Sequence, residues 1–97
     1  MHYKELITAD LRLVALSSLA QDPGYAHNEY VLKEMLAAMG HGISRDRLRT
    51  ELGWLAEQGL IEIRDVGGTM VAKLTGRGKD VAEGVVVVPG VKRPEPI

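Results

Sequence analysis

The feature that most constrains this chain is a change of period around Gly59. Upstream, Leu48, Leu52 and Leu55 recur at i, i+4 and i+7, which is one narrow apolar face of a helix. Ser44 stands at the N-cap position, where its hydroxyl can accept a first-turn N–H. Asp46 lies in the first turn and complements the positive end of the helix dipole. The helix runs to about Gln58, and Gly59 suits the C′ position beyond it. From Ile61 the pattern alternates, Ile61-Glu62-Ile63-Arg64, which is the period of a half-buried strand. Met70 to Leu74 is a second extended run. Between the two runs lies Asp65-Val66-Gly67-Gly68-Thr69, and paired glycines there signal a tight hairpin.

The segments before Ser44 read as two more helices. The first begins at Thr8 or Ala9, with Thr8 or Asp10 as its cap, and Leu13, Leu16 and Ala20 set its apolar stripe, widened by Leu19. Asp22-Pro23-Gly24 ends it after Gln21, since proline cannot continue a helix. The second starts after Asn28, a good N-cap, with Glu29 favourably placed in its first turn. Val31, Leu32, Met35, Leu36 and Met39 form its stripe, and Gly40-His41-Gly42 closes it. After the hairpin, Thr75 caps a short helix over 76–83 whose two glycines give it low propensity. Val85-Val86-Val87-Val88 favours an extended segment that pairs with an edge strand or a second subunit, and three prolines follow it. The order is helix, helix, helix, strand, strand, helix. It implies an α+β chain: a three-helix core, a two-stranded β-hairpin and a short C-terminal helix or tail. The expected division is one domain over 1–84 and a Val/Pro-rich tail over 85–97.

Two short helices joined by a Gly-containing turn form a helix-turn-helix. Here the second helix begins Ile43-Ser44-Arg45-Asp46-Arg47-Leu48, ends Leu55-Ala56-Glu57-Gln58-Gly59-Leu60-Ile61, and leads straight into the hairpin. With Leu74-Thr75 and Gly78 after the hairpin, the stretch over 28–83 resembles winged helix-turn-helix regulators of the arsenical-repressor and multiple-antibiotic-resistance-repressor types. Over nearly the whole chain, Tyr3, Glu5 and Leu6, then Pro23-Gly24-Tyr25 with Asn28-Glu29-Tyr30, and last Pro89-Gly90-Val91-Lys92-Arg93-Pro94 look like small winged-helix proteins of Mu-like bacteriophages and prophages. These resemblances imply a DNA-binding transcriptional regulator of bacterial or phage origin whose third helix is the recognition helix, and they imply a homodimer.

Helical geometry places the side chains. With Leu48, Leu52 and Leu55 toward the core, the opposite face carries Asp46, Arg49, Thr50, Gly53 and Glu57, with Arg45 and Arg47 on the flanks. Arginine at the start of a recognition helix suits the major groove, because its planar fork can bond guanine O6 and N7 together. Ser44 sits where helix N–H groups can hold a phosphate. The expected contacts to double-stranded DNA are therefore Ser44, Arg45, Asp46, Arg47, Arg49 and Thr50. The competing reading is a protein–protein interaction module that binds a phage or host protein. Lys33, Arg45, Arg47 and Arg49 face Glu29, Glu34, Asp46, Glu51 and Glu57 over 28–58, and no Lys or Arg lies over 66–69. Phosphate contacts dominate DNA affinity, and this stretch offers few.

Other classes are set aside on composition. No cysteine is present, which removes thiolate metal sites and cysteine nucleophiles and suits a cytoplasmic setting. His2, His27 and His41 share no ligand spacing, and no phosphate-binding glycine motif occurs. No enzyme, metal or cofactor is expected. No apolar run reaches membrane-spanning length, and the start lacks a secretion pattern. Trp54, on the helix flank beside Arg47 and Glu51, reads as packing. Tyr3, Leu6 and Ile7, ahead of the first helix, can pack across a two-fold axis.

Overall fold

The computed structural model describes residues 2–96. It contains four helices and one antiparallel sheet: α1 (Tyr3–Gln21), β1 (Ala26–Asn28), α2 (Glu29–Ala38), α3 (Arg45–Glu57), β2 (Ile61–Val66), β3 (Thr69–Leu74) and α4 (Gly76–Ala82). Local chemistry sets most of these boundaries. Asn28 Oδ1 accepts from Val31 N at 2.9 Å, Ser44 Oγ from Arg47 N at 3.0 Å, and Thr75 Oγ1 from Gly78 N at 3.0 Å. Each supplies an acceptor to a first-turn N–H that has no partner within its own helix. The hairpin turns at Gly67 and Gly68, whose φ angles of 58° and 85° are the left-handed pair that matches strand twist. Asp65 Oδ1 accepts from Gly68 N at 2.7 Å and braces that turn.

Several expectations differ from what is seen. The two-stranded hairpin is part of a three-stranded sheet in the order β1-β3-β2. Ala26, His27 and Asn28 pair with Lys73, Ala72 and Val71. A three-residue strand has no readable periodicity, and its hydrogen bonds come from β3, more than forty positions away in the chain. The first helix begins at Tyr3, five residues before Thr8, and its opening turns leave Tyr3 and Leu6 largely exposed. The valine run is not a strand: Val85 and Val87 face solvent while Val88 and Val91 enter the core. The 85–96 segment lies against α1, with Lys92 N donating to Ala9 O at 3.0 Å and Arg12 Nη1 to Gly90 O at 3.1 Å.

The core is built from aliphatic side chains, as a chain without phenylalanine requires. Leu11, Leu16 and Leu19 of α1 meet Leu32 and Leu36 of α2 and Leu48, Leu52 and Leu55 of α3. Ile61, Ala72 and Leu74 close it from the sheet side. The stripe of α2 is rotated from its expected position. Val31 and Met39 are exposed, and the buried face is Glu29, Leu32 and Leu36. The turn into α3 is held to α1, where His41 Nε2 lies 2.7 Å from Asp10 Oδ2. That hydrogen bond, with Lys92 beside it, holds the Asp10 carboxyl below its ordinary value against the opposing effect of burial.

Candidate nucleic-acid interface

The exposed side of α3 divides into a ridge and two flanks. At 100° per residue, Asp46, Thr50, Gly53 and Glu57 share the ridge, Arg45 and Arg49 lie toward the hairpin, and Arg47 lies toward α1. Ser44 serves as the N-cap. Thr50 Oγ1 donates to Asp46 O at 3.3 Å, one turn earlier. The ridge therefore presents two carboxylates and no cation.

Both hairpin-side arginines are gathered by one carboxylate. Glu29, the first residue of α2, has no exposed surface. Its Oε1 accepts from Arg45 Nε at 2.7 Å and from Arg49 Nε at 2.8 Å. Its Oε2 accepts from Arg49 Nη2 at 2.8 Å, from Met70 N at 2.6 Å and, more loosely, from Arg45 Nη2 at 3.4 Å. Arg49 Nη2 also donates to Gly68 O at 3.0 Å. Arg45 lies over the Tyr30 ring at 5.1 Å from its centroid. Glu29 thus ties α2, α3 and the hairpin into one unit. Arg49 first, then Arg45, hold the Glu29 carboxyl far below its ordinary 4.5, outweighing the burial that opposes them. The same hydrogen bonds raise both guanidinium values. A carboxylate in this site remains charged across the physiological range.

Arg47 belongs to a second cluster. Its Nε donates to Glu51 Oε2 at 2.9 Å, and its Nη2 donates to Thr8 Oγ1 of α1 at 3.0 Å. Glu51 Oε1 accepts from Arg12 Nε at 2.7 Å, and Arg12 lies 3.7 Å from the Trp54 ring centroid. Trp54 is half-buried and also borders Gly90, so it packs between α1, α3 and the C-terminal segment. Every arginine of α3 is therefore paired, yet Arg45, Arg47 and Arg49 keep 43%, 43% and 38% of their side chains exposed.

The six residues expected to touch DNA all lie on the first two turns of α3 or at its cap. Sequence reasoning missed Glu29 and Glu51 as their partners. Two signals were available: Glu51 is the i+4 neighbour of Arg47 on α3, and Glu29, Leu32 and Leu36 fall at i, i+3 and i+7, so Glu29 shares the core-facing phase of α2. A carboxylate in that phase requires cationic or hydrogen-bonding company. Among the described residues, no group of three His, Cys, Asp or Glu gathers as a metal site, and no helix is long and apolar enough to cross a membrane.

No protein-family model matches the chain. Two relatives are clear. Uncharacterized protein gp26 of Escherichia phage Mu is 48% identical over 92 residues, covering 95% of each chain. An uncharacterized protein of Haemophilus influenzae is 50% identical over 78 residues, covering 79% of this chain and 76% of its own. At that identity over nearly its full length, the chain belongs to the family of the phage Mu gp26 protein.

Proposed function

We propose that this chain is a winged helix-turn-helix domain that binds double-stranded DNA as a transcriptional regulator, with α3 facing the major groove. The observation that carries the reading is the rigid union of α3 with the hairpin. Arg45 and Arg49 stand at that junction, partly exposed and held in place by Glu29. The helix-turn-helix pair α2–α3 and the hairpin directly after it support the reading. A three-stranded sheet is compatible with it as well. Such a domain works as a dimer, and the exposed Tyr3, Leu6 and Ile7 at the start of α1 offer an apolar face for a second copy. Titration of the purified chain against a random duplex pool at low and moderate salt tests the reading. Retained duplex whose affinity falls steeply with salt supports it; no retention at low salt refutes it.

A second reading is favoured by the charge pairing itself. Each α3 arginine spends part of its charge on Glu29 or Glu51, while Val31, Met39 and Val66 are exposed alongside Tyr3 and Leu6. Those features suit a protein partner better than a polyanion. A pull-down with phage or host proteins that survives high salt, together with absent duplex binding, selects this second reading.

A further inference from the structure

The donors left free on α3 separate its three arginines into two kinds. A guanidinium carries five N–H groups: one on Nε and two on each Nη. A base edge such as guanine O6 and N7 needs two of them side by side, either Nε with Nη2 or Nη1 with Nη2. In Arg49, Nε and one Nη2 N–H go to Glu29, and the other Nη2 N–H goes to Gly68 O. Neither two-pronged edge remains, and only Nη1 is free. Arg45 reaches the same two partners, firmly through Nε on Glu29 at 2.7 Å and more loosely through Nη2, at 3.4 Å from Glu29 and 3.5 Å from Gly68 O. Releasing either fork would strip partners from a carboxylate that has no exposed surface. Arg47 differs. It uses Nε on Glu51 and one Nη2 N–H on Thr8, which leaves three of its five N–H groups free, two on Nη1 and one on Nη2. It lies in the first turn of α3, and its Glu51 support is itself fixed by Arg12.

Resting on the DNA-binding reading above, we propose that Arg47 is the one α3 arginine that reads a base, a guanine in the major groove, and that Arg45 and Arg49 position the DNA by single contacts to phosphate. A phosphate oxygen requires charge and one donor, which a lone Nη1 group supplies. A base edge requires two neighbouring donors on a side chain held by its surroundings, and Arg47 keeps three free N–H groups where Arg49 keeps two.

The test is selection from a random duplex pool followed by anisotropy titrations over a salt series, with wild type, Arg47→Lys, Arg49→Lys and Arg49→Ala. Thermal unfolding establishes that each variant is folded, and Arg49→Lys keeps the Glu29 site cationic if Arg49→Ala does not fold. Arg47→Lys retains the charge but loses the fork. It should lose roughly 5- to 150-fold discrimination at one G·C pair with little change in salt slope. Arg49→Lys should leave the base preference intact. Arg49→Ala should weaken binding on all sequences alike and reduce the log–log salt slope by about 1. A base preference relaxed by Arg49→Lys, a consensus untouched by Arg47→Lys, or wild-type binding without any consensus overturns the assignment alone. Wild type that binds no duplex at low salt overturns the DNA reading beneath it.

Discussion

Replacing Glu29 by Gln tests whether the carboxylate beneath α3 holds the domain together. The side-chain oxygens of Glu29 accept from Arg45, Arg49 and the Met70 N–H, and none of the residue reaches solvent. Glutamine keeps the shape and one acceptor oxygen, but its amide N–H groups then face N–H donors. Removing one member of a buried ion pair costs about 3–5 kcal/mol. Both arginines are more than one-third exposed, so water takes over some of their hydrogen bonds and the expected loss falls to about 2–3 kcal/mol. For a domain of this size that is a Tm lowered by roughly 10–20 °C. Urea titrations followed by circular dichroism give the free energies directly. The pH dependence supplies an independent check. The folded carboxyl titrates far below its ordinary 4.5, so its contribution is complete above about pH 5 and declines as the solution is acidified. Each pH unit below 4.5 removes through Glu29 about 1.4 kcal/mol from wild type that the glutamine variant does not lose, while Asp10 acts alike in both proteins. The gap between the two proteins should therefore narrow at pH 3.5. A gap under about 0.5 kcal/mol at pH 7, or one that is unchanged at pH 3.5, would refute the reasoning.

Two helical glycines should respond in opposite directions. A Cβ at Gly53 meets nothing within 4 Å, so Gly53→Ala should stabilise α3 by about 0.5–1 kcal/mol, read as a Tm raised by several degrees. At Gly78 the Cβ collides with the Leu60 carbonyl and the Leu74 side chain, so Gly78→Ala should cost about 3 kcal/mol or more in the same measurement. In the C-terminal segment, Val88→Ala should cost about 1.5–3 kcal/mol, whereas Val87→Ala at a 61% exposed position should change the urea midpoint little. Equal effects at the two valines would mean that the segment is not packed as described. Sedimentation should give a dimer for wild type, and Leu6→Glu, which places a charge on the exposed start of α1, should give a monomer; a wild-type monomer at high concentration removes the two-fold arrangement.

The sequence by itself determined the elements whose causes are local. Asn28, Ser44 and Thr75 are caps because a short oxygen side chain next to a helix start satisfies that helix's own N–H groups. Gly67-Gly68 is a turn because both positions take positive φ, which glycine adopts without penalty. The Leu48, Leu52 and Leu55 face follows from helical spacing alone. Tertiary structure decided whatever depends on partners distant in the chain. β1 exists because β3 offers it an edge, and three residues carry no pattern of their own. Val88 and Val91 are buried because the segment turns back onto α1. The charge of α3 is the most consequential case. Along the sequence, Arg45, Arg47 and Arg49 read as one set of DNA contacts. Glu29 and Glu51 divide them: Glu51 is the i+4 neighbour of Arg47 within α3, a pair that helical spacing alone implies, whereas Glu29 reaches Arg45 and Arg49 only after α2 and α3 have packed.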